Sequence, residues 1–460
     1  MPRLHPQPTA QSFDGLAAKV GTLVLTALTL LYLAWPLWRA QFPIQIDVNE
    51  GWNAYLADAA FGPQPLYPPP AALTGNNYPP LSFYLLGGLQ RLGVDALYLG
   101  RLFSIAATFG LGAAVWRLMR ILGAGQFGAL VAALWLLATF ARFYDGYVGI
   151  NDPHLLGLAI MTGAFAWFVA RERSGRAVEP AVWLMVLAGF IKHTLIAIPA
   201  TALLLLLMHD WRRGLRALIA GAIAGAAGLV LCWLAYGPDF FADLLQPRPL
   251  NIIWSLNAIG RLQWILPALA IGCCWAWLER STQAAQVFAT FAAVAMLAYL
   301  FQKMGDGVAD NAAFDLAIAA AIGLGMAVER LPETPLGQRM APETIRWVIF
   351  AIILVRLLAS SRIDPYALPL SEAFRATVAG HAQVAREEAK RVAALPGKVY
   401  CSVAIVCRMA GKAFVVDGFK QEILIALNKQ SRGEFYDRLG RNGIRAETID
   451  LRASIESIRR

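Results

Sequence analysis

Two carboxylates, Asp47 and Glu50, stand three residues apart in IDVNEGW, just beyond a long apolar run. If the chain turns helical at Asp47, that spacing sets both acids on one helix face. A carboxylate held against low-dielectric surroundings has its pKa raised towards the range that suits a general base. In open water the same pair would only be solvated, but Ile44, Ile46 and Trp52 flank it. A third acid, Asp152, lies between Asn151 and Pro153. Asp before Pro is a common helix start, so Asp152 can cap the next helix and still present its carboxylate at the helix mouth. Lys192 and His193 interrupt an otherwise apolar stretch, 182–207. Ionisable residues so placed mark function by default, although a lysine near a span end also snorkels to the headgroups. An ammonium acts on a phosphate as a point charge. Arg248, set among prolines, and Lys303, near Asp306, Asp310 and Asn311, are further cations for the same purpose. An acid to take a hydroxyl proton, with cations to steady a departing phosphate, makes a group-transfer site for a lipid phosphate.

These residues must be positioned by membrane segments. The 460 residues are 58% hydrophobic and 15% charged, with 14 Trp. A soluble chain would have roughly 25% charged residues. The apolar runs are long enough to cross a hydrocarbon core about 30 Å thick. Spans are expected at 20–38, 97–119, 126–142, 154–170, 181–192, 195–209, 215–235, 261–278, 284–302, 313–329 and 345–360. The run at 79–92 is too short and reads as an interfacial helix. The N-terminal 1–19 reads as a cytoplasmic tail and the first run as an uncleaved span, because no small-residue cleavage pattern follows it. With the N-terminus inside, fourteen Lys and Arg fall on cytoplasmic segments against five to eight outside, the asymmetry that orients membrane proteins. The net charge of +10 therefore belongs to topology, and nucleic acid is not an expected partner. On this count the candidate residues all fall on one face, outside the cytoplasm.

The first outer loop, 39–96, is long, Pro-rich and closed by Asn76-Asn77-Tyr78-Pro79-Pro80. Loops of that length are functional or disordered, and its aromatic content argues against disorder. Beyond 361 the composition changes to a charged, Ala-rich helix at 371–395, β-like runs at 398–406, 413–417 and 445–451, and a helix at 419–430. Strands alternating with helices read as a small α/β module, 361–460, on the outer side. Cys232, Cys273 and Cys274 lie in apolar runs and read as packing residues. Cys401 and Cys407 could pair in an oxidising compartment, but an extended strand would hold them about 20 Å apart. The expected fold is mostly α: a polytopic helix bundle of about eleven spans with interfacial helices in the first outer loop and this small α/β tail.

Five segments in order carry a resemblance. They are Asp47-Val48-Asn49-Glu50-Gly51 with Tyr55, Tyr78-Pro79-Pro80-Leu81, Asn151-Asp152-Pro153, Gly189-Phe190-Ile191-Lys192 before Pro199, and Lys303-Met304-Gly305 with Asn311. The arrangement over 20–360 resembles the GT-C type membrane glycosyltransferases, which include protein O-mannosyltransferases, the aminoarabinose transferase acting on lipid A and rhizobial lipopolysaccharide glycosyltransferases. The resemblance implies a polyprenyl-phosphate sugar donor and a glycan, lipid or protein acceptor of the cell envelope. It implies a bacterial inner membrane location with transfer on the periplasmic face. It further implies Asp47 or Glu50 as base, Asp152 as second acid and Lys192 by the donor phosphate, with His193, Arg248 and Lys303 as further phosphate contacts. Tyr55, Asn77, Tyr78, Asn151 and Asn311 would line the substrate cavity. Many members have an adjacent Asp-Glu pair, whereas Val48 and Asn49 separate the acids here, so which of the two is the base stays open. Asp47, Glu50 and Asp152 could hold a divalent metal, as in some relatives, but no cofactor is required. A transporter or lipid flippase is the rival reading. It would need polar residues at mid-membrane and repeated broken helices, and no repeat is visible.

Overall fold

The computed structural model describes residues 15–335, 337–360 and 362–455. Most of the expected cytoplasmic tail, residues 1–14, lies outside them. The chain is mostly helical. Its body begins with α1 (Leu16–Arg39), α2 (Val48–Ala59), α3 (Leu81–Gln90), α4 (Ala96–Leu122) and α5 (Gln126–Phe143). It continues with α6 (His154–Arg173), α7 (Glu179–Gly189), α8 (Ala197–His209), α9 (Trp211–Tyr236) and α10 (Pro238–Leu244). It closes with α11 (Ile252–Ala258), α12 (Leu266–Leu278), α13 (Gln283–Lys303), α14 (Phe314–Arg330) and α15 (Pro342–Leu358).

Each of the eleven expected spans coincides with a helix. Seven helices among the described residues are long and apolar enough to cross a bilayer, or eight if the bent pair Ile252–Trp264 and Leu266–Leu278 forms one span. The difference lies in α7, α8 and α15, of 11, 13 and 17 residues, which are shorter than the helices counted as spans. Helix α3, with 10 residues, is likewise too short to span.

Helix α14 is the axis of the bundle. Between Asp315 and Glu329 its sequence LAIAAAIGLGMAV is apolar on every side and wholly buried. A helix without a polar face has to sit inside. Its small residues let neighbours approach closely. A Cβ on Gly323 would lie 2.8 Å from the Gly272 Cα of α12, and one on Gly325 would lie 2.5 Å from the Gly128 carbonyl of α5. Helix α9 is as apolar but buries only Gly214, Ala217 and Cys232, so its surface is left for lipid.

The tail comprises α16 (Asp364–Leu370), α17 (Glu372–Ala393), β1 (Lys398–Cys401), α18 (Ala404–Met409), α19 (Gly418–Ala426), α20 (Arg432–Arg441) and β2 (Ile444–Glu447). Strands β1 and β2 pair in parallel, with Val399 opposite Arg445. The expected strand at 398–406 stops at Cys401, where the chain turns into α18 and brings Cys401 and Cys407 into a disulfide with Cα atoms 5.7 Å apart. The extended geometry that argued against pairing is therefore corrected. The stretch 413–417 is not a strand either; it runs along the body and hydrogen-bonds Leu73 and Trp52. Helix α20 was not expected, although Ser431 and Glu434 form a capping box that is visible in the sequence.

Candidate active site

Glu50 is fully buried, and both of its oxygens are taken. Arg101 of α4 donates Nε to Oε1 at 2.7 Å and Nη2 to Oε2 at 2.8 Å. The Asn151 N–H adds 3.1 Å to Oε1, and the Ile46 N–H adds 2.7 Å to Oε2. The same guanidinium donates to the carbonyls of Ala40, Phe42 and Ile44. Bidentate, fully satisfied pairs of this kind fix geometry. Asn151, expected in the cavity, belongs to this buried pin: Asn53 donates to its carbonyl at 2.8 Å, and its own amide donates to the Glu50 carbonyl. The entry to α2 is thereby locked to the loop that carries Asp152.

Asp47 caps α2 by accepting from the Asn49 N–H at 2.9 Å, and it is half-buried. Asp152 is buried; its Oδ1 accepts from the His154 N–H at 2.8 Å, while its Oδ2 has no partner among the described residues. Lys192 lies in the link 190–196, outside α7 and α8, with its Nζ 3.1 Å from the centre of the Tyr78 ring. Burial pushes the Lys192 ammonium down to about 8, while the charges of Asp152 and Asp47 pull the other way. Burial also pushes the Tyr78 hydroxyl well up, and Asp152, Tyr147 and Asp47 add to it. Tyr147 feels both acids as well. One electrostatic neighbourhood thus holds Asp47, Asp152, Lys192, Tyr78, Tyr147 and Arg248.

Arg248 is half-buried, with its guanidinium over the Phe419 ring at 5.2 Å. Asn311 donates its amide to Nδ1 of His154, the residue whose N–H bonds Asp152, at 3.0 Å. Asn77 is half-buried in the turn that Asn76 makes with the Tyr78 N–H. Two expected site residues lie elsewhere. The Tyr55 hydroxyl donates to the Lys412 carbonyl and its ring stacks on Phe414, so it serves the junction with the tail. Lys303 donates to the Val308 carbonyl at 2.8 Å and stands 3.6 Å from Asp310, facing a separate cavity with Arg261. Sequence reasoning missed Arg101 and His154. A charge set inside an apolar span was the available signal for Arg101.

The three acids do not close into a metal-ligand set. Glu50 is saturated by four donors, and no group of three His, Cys, Asp or Glu among the described residues is disposed to hold an ion.

The tail clamps the face of the first loop. The Trp52 indole donates to Asp417 at 3.1 Å, and Arg408 bridges Asp58 and Asp95. Lys420 donates to the Thr74 carbonyl at 2.7 Å, and Asp243 accepts from the Asn76 N–H at 2.9 Å. Beneath the site an almost wholly apolar cavity of about 430 Å³ runs between α7, α8 and α9. Pro79 and His193, next in the chain to Tyr78 and Lys192, line it together with Val182, Leu203, Gly221 and Gly225. Its lining on α9, from Ala217 to Leu229, extends about 18 Å along the helix axis.

No family model matches the sequence, and no curated protein matches it significantly. In fold, the chain is similar to ArnT from Cupriavidus metallidurans in the apo state, with a TM-score of 0.56 and 14% identity over 93% of this chain and 92% of that one. ArnT bound to undecaprenyl phosphate gives the same score and identity over 92% and 91%. The archaeal oligosaccharyltransferase AglB from Archaeoglobus fulgidus, in complex with an inhibitory peptide and a dolichol-phosphate, scores 0.48 at 12% identity. The match covers 89% of this chain and 65% of AglB's length. The chain has the fold of ArnT.

Proposed function

We propose that the chain is a membrane glycosyltransferase that moves a sugar from a polyprenyl-phosphate donor to a cell-envelope acceptor on the periplasmic face of a bacterial inner membrane. What carries this reading is that Asp47, Asp152 and Arg248 all act on Tyr78 and Lys192, which adjoin in the chain Pro79 and His193 of an apolar groove. A polyprenyl chain suits a long, almost wholly apolar groove, and its phosphate then lies beside Lys192. The similarity to ArnT bound to undecaprenyl phosphate supports the same donor class. The acceptor hydroxyl attacks the anomeric carbon as the bond from that carbon to the phosphate oxygen breaks. Asp47 takes the hydroxyl proton, and the polyprenyl phosphate leaves with its charge met by Lys192 and Arg248. Asp152 holds Lys192 in its charged form and orients it. Glu50, saturated by Arg101 and two backbone N–H groups, acts as a strut and not as the base.

The donor half of the reading is tested by undecaprenyl phosphate binding to the full chain in lipid nanodiscs. Gly225 lines the groove and has open space beside it, so Gly225→Phe fills the groove without a backbone clash. Gly225→Phe and Lys192→Met are each expected to weaken binding by about tenfold or more, with an unchanged melting temperature for Gly225→Phe. Undiminished binding in both variants contradicts the reading.

A further inference from the structure

The segment Ile252–Trp264 makes an 84° angle with Leu266–Leu278. Helix α12 packs along the buried axis helix α14 through Gly272 and Gly323, so it follows the bundle direction and the 252–264 segment lies across it. That segment has two faces. Ile252, Ile253, Leu256 and Ile259 are exposed at helical spacing, and Leu245 and Leu250 extend the apolar surface just before them. A helix lying crosswise with such a face rests in the membrane interface. Its neighbouring face carries Trp254, Asn257 and Arg261, which with Lys303 and Asp306 line a second cavity of about 380 Å³.

We propose that this second cavity is the acceptor subsite and takes the sugar headgroup of a membrane-anchored glycolipid; the word acceptor rests on the function proposed above, whereas the binding itself does not. Three observations point to that occupant. The apolar face sets the cavity at headgroup level, so an occupant with acyl chains reaches it from the bilayer. Arg261 and Lys303 already face Asp310 at 3.4 and 3.6 Å, and Asp306 adds a further carboxylate, so a bare phosphate has no excess of positive charge to meet. An indole beside an amide, carboxylates and cations offers a flat apolar surface with mixed donors and acceptors, which suits a hydroxylated ring. The cavity is also tied to the loop that leads from the transfer site. Asp306 N–H donates to the Pro249 carbonyl at 3.0 Å, and Leu250 bridges Gly305, so the loop that carries Arg248 is stitched to the cavity floor.

The test uses the full chain in nanodiscs containing equal amounts of monoglucosyl diacylglycerol and phosphatidylglycerol with a trace of undecaprenyl phosphate. Lipids that stay bound on release are counted by native mass spectrometry. The wild-type chain is expected to retain the glucolipid over phosphatidylglycerol. Trp254→Ala should lower glucolipid retention about tenfold and Asp306→Asn about fivefold, the size of one lost aromatic or hydrogen-bonding contact. Both side chains are solvent-accessible, so the fold should tolerate the changes, and undecaprenyl phosphate retention should stay at its wild-type level. Equal retention of phosphatidylglycerol, or wild-type retention by both variants, overturns the proposal. Loss of undecaprenyl phosphate alone, from the wild-type chain, would instead count against the donor reading and leave this cavity's assignment standing.

Discussion

At the scale of residues, Asp47 and Glu50 are three positions apart and have opposite surroundings. Glu50→Gln leaves Arg101 buried without its counter-charge, and breaking such a pair costs about 3–5 kcal/mol. That variant should reach the membrane in reduced amount or melt earlier, measured by thermal denaturation of the purified chain, whereas Asp47→Asn keeps its cap and should melt as wild type does. Asp417 gives a second prediction. Burial raises its carboxyl to about 6, against the bonds from Lys420 and Trp52 that favour the charged form. A raised acid binds its proton more tightly in the folded state, so its contribution is fully present below about pH 4 and is lost as pH rises through about 6. Thermal stability should therefore fall between pH 4 and 7 by at most about 3 kcal/mol more in the wild type than in Asp417→Asn. A parallel pH dependence in the two chains would contradict this. The acids and Lys192 stand out in the sequence because charge is rare in an apolar chain. The role of Glu50 was not legible, because its partner Arg101 is 51 positions away and reads as a span-edge charge.

At the scale of elements, the site depends on how the tail holds α2. Gly51 faces α18 so closely that a Cβ there would lie 2.7 Å from the Ala404 Cβ and the Ile405 backbone nitrogen. Gly51→Val should force α2 and α18 apart at a cost of about 1–3 kcal/mol, read as a lower melting temperature. A melting temperature equal to the wild type would show that the contact does not hold the tail to the body. Helices were legible where apolar runs are long, and every expected span coincides with one. The tail was less so. Its strands have only four residues each, and the run after Cys401 reads as a continuing strand because Val403, Ile405 and Val406 favour β structure. The disulfide and the turn into α18 override that preference. The break between α7 and α8, which places Lys192, was visible as a polar interruption, but the lengths of the two short helices were not.

At the scale of the whole molecule, the bundle brings residues from the first loop, the α5–α6 turn, the α7–α8 link and the α10–α11 loop to one end, above a groove left between α7, α8 and α9. A transporter would instead place its polar groups at mid-membrane between repeated halves. The measurement that tests glycosyl transfer most directly is mass spectrometry of cell-envelope glycans and glycolipids from cells carrying the wild-type chain, no chain, or Asp47→Asn at equal membrane abundance. The account predicts at least one glycosylated species that is present with the wild type and absent from the other two. Identical spectra in all three, or a spectrum from Asp47→Asn that matches the wild type, would contradict it.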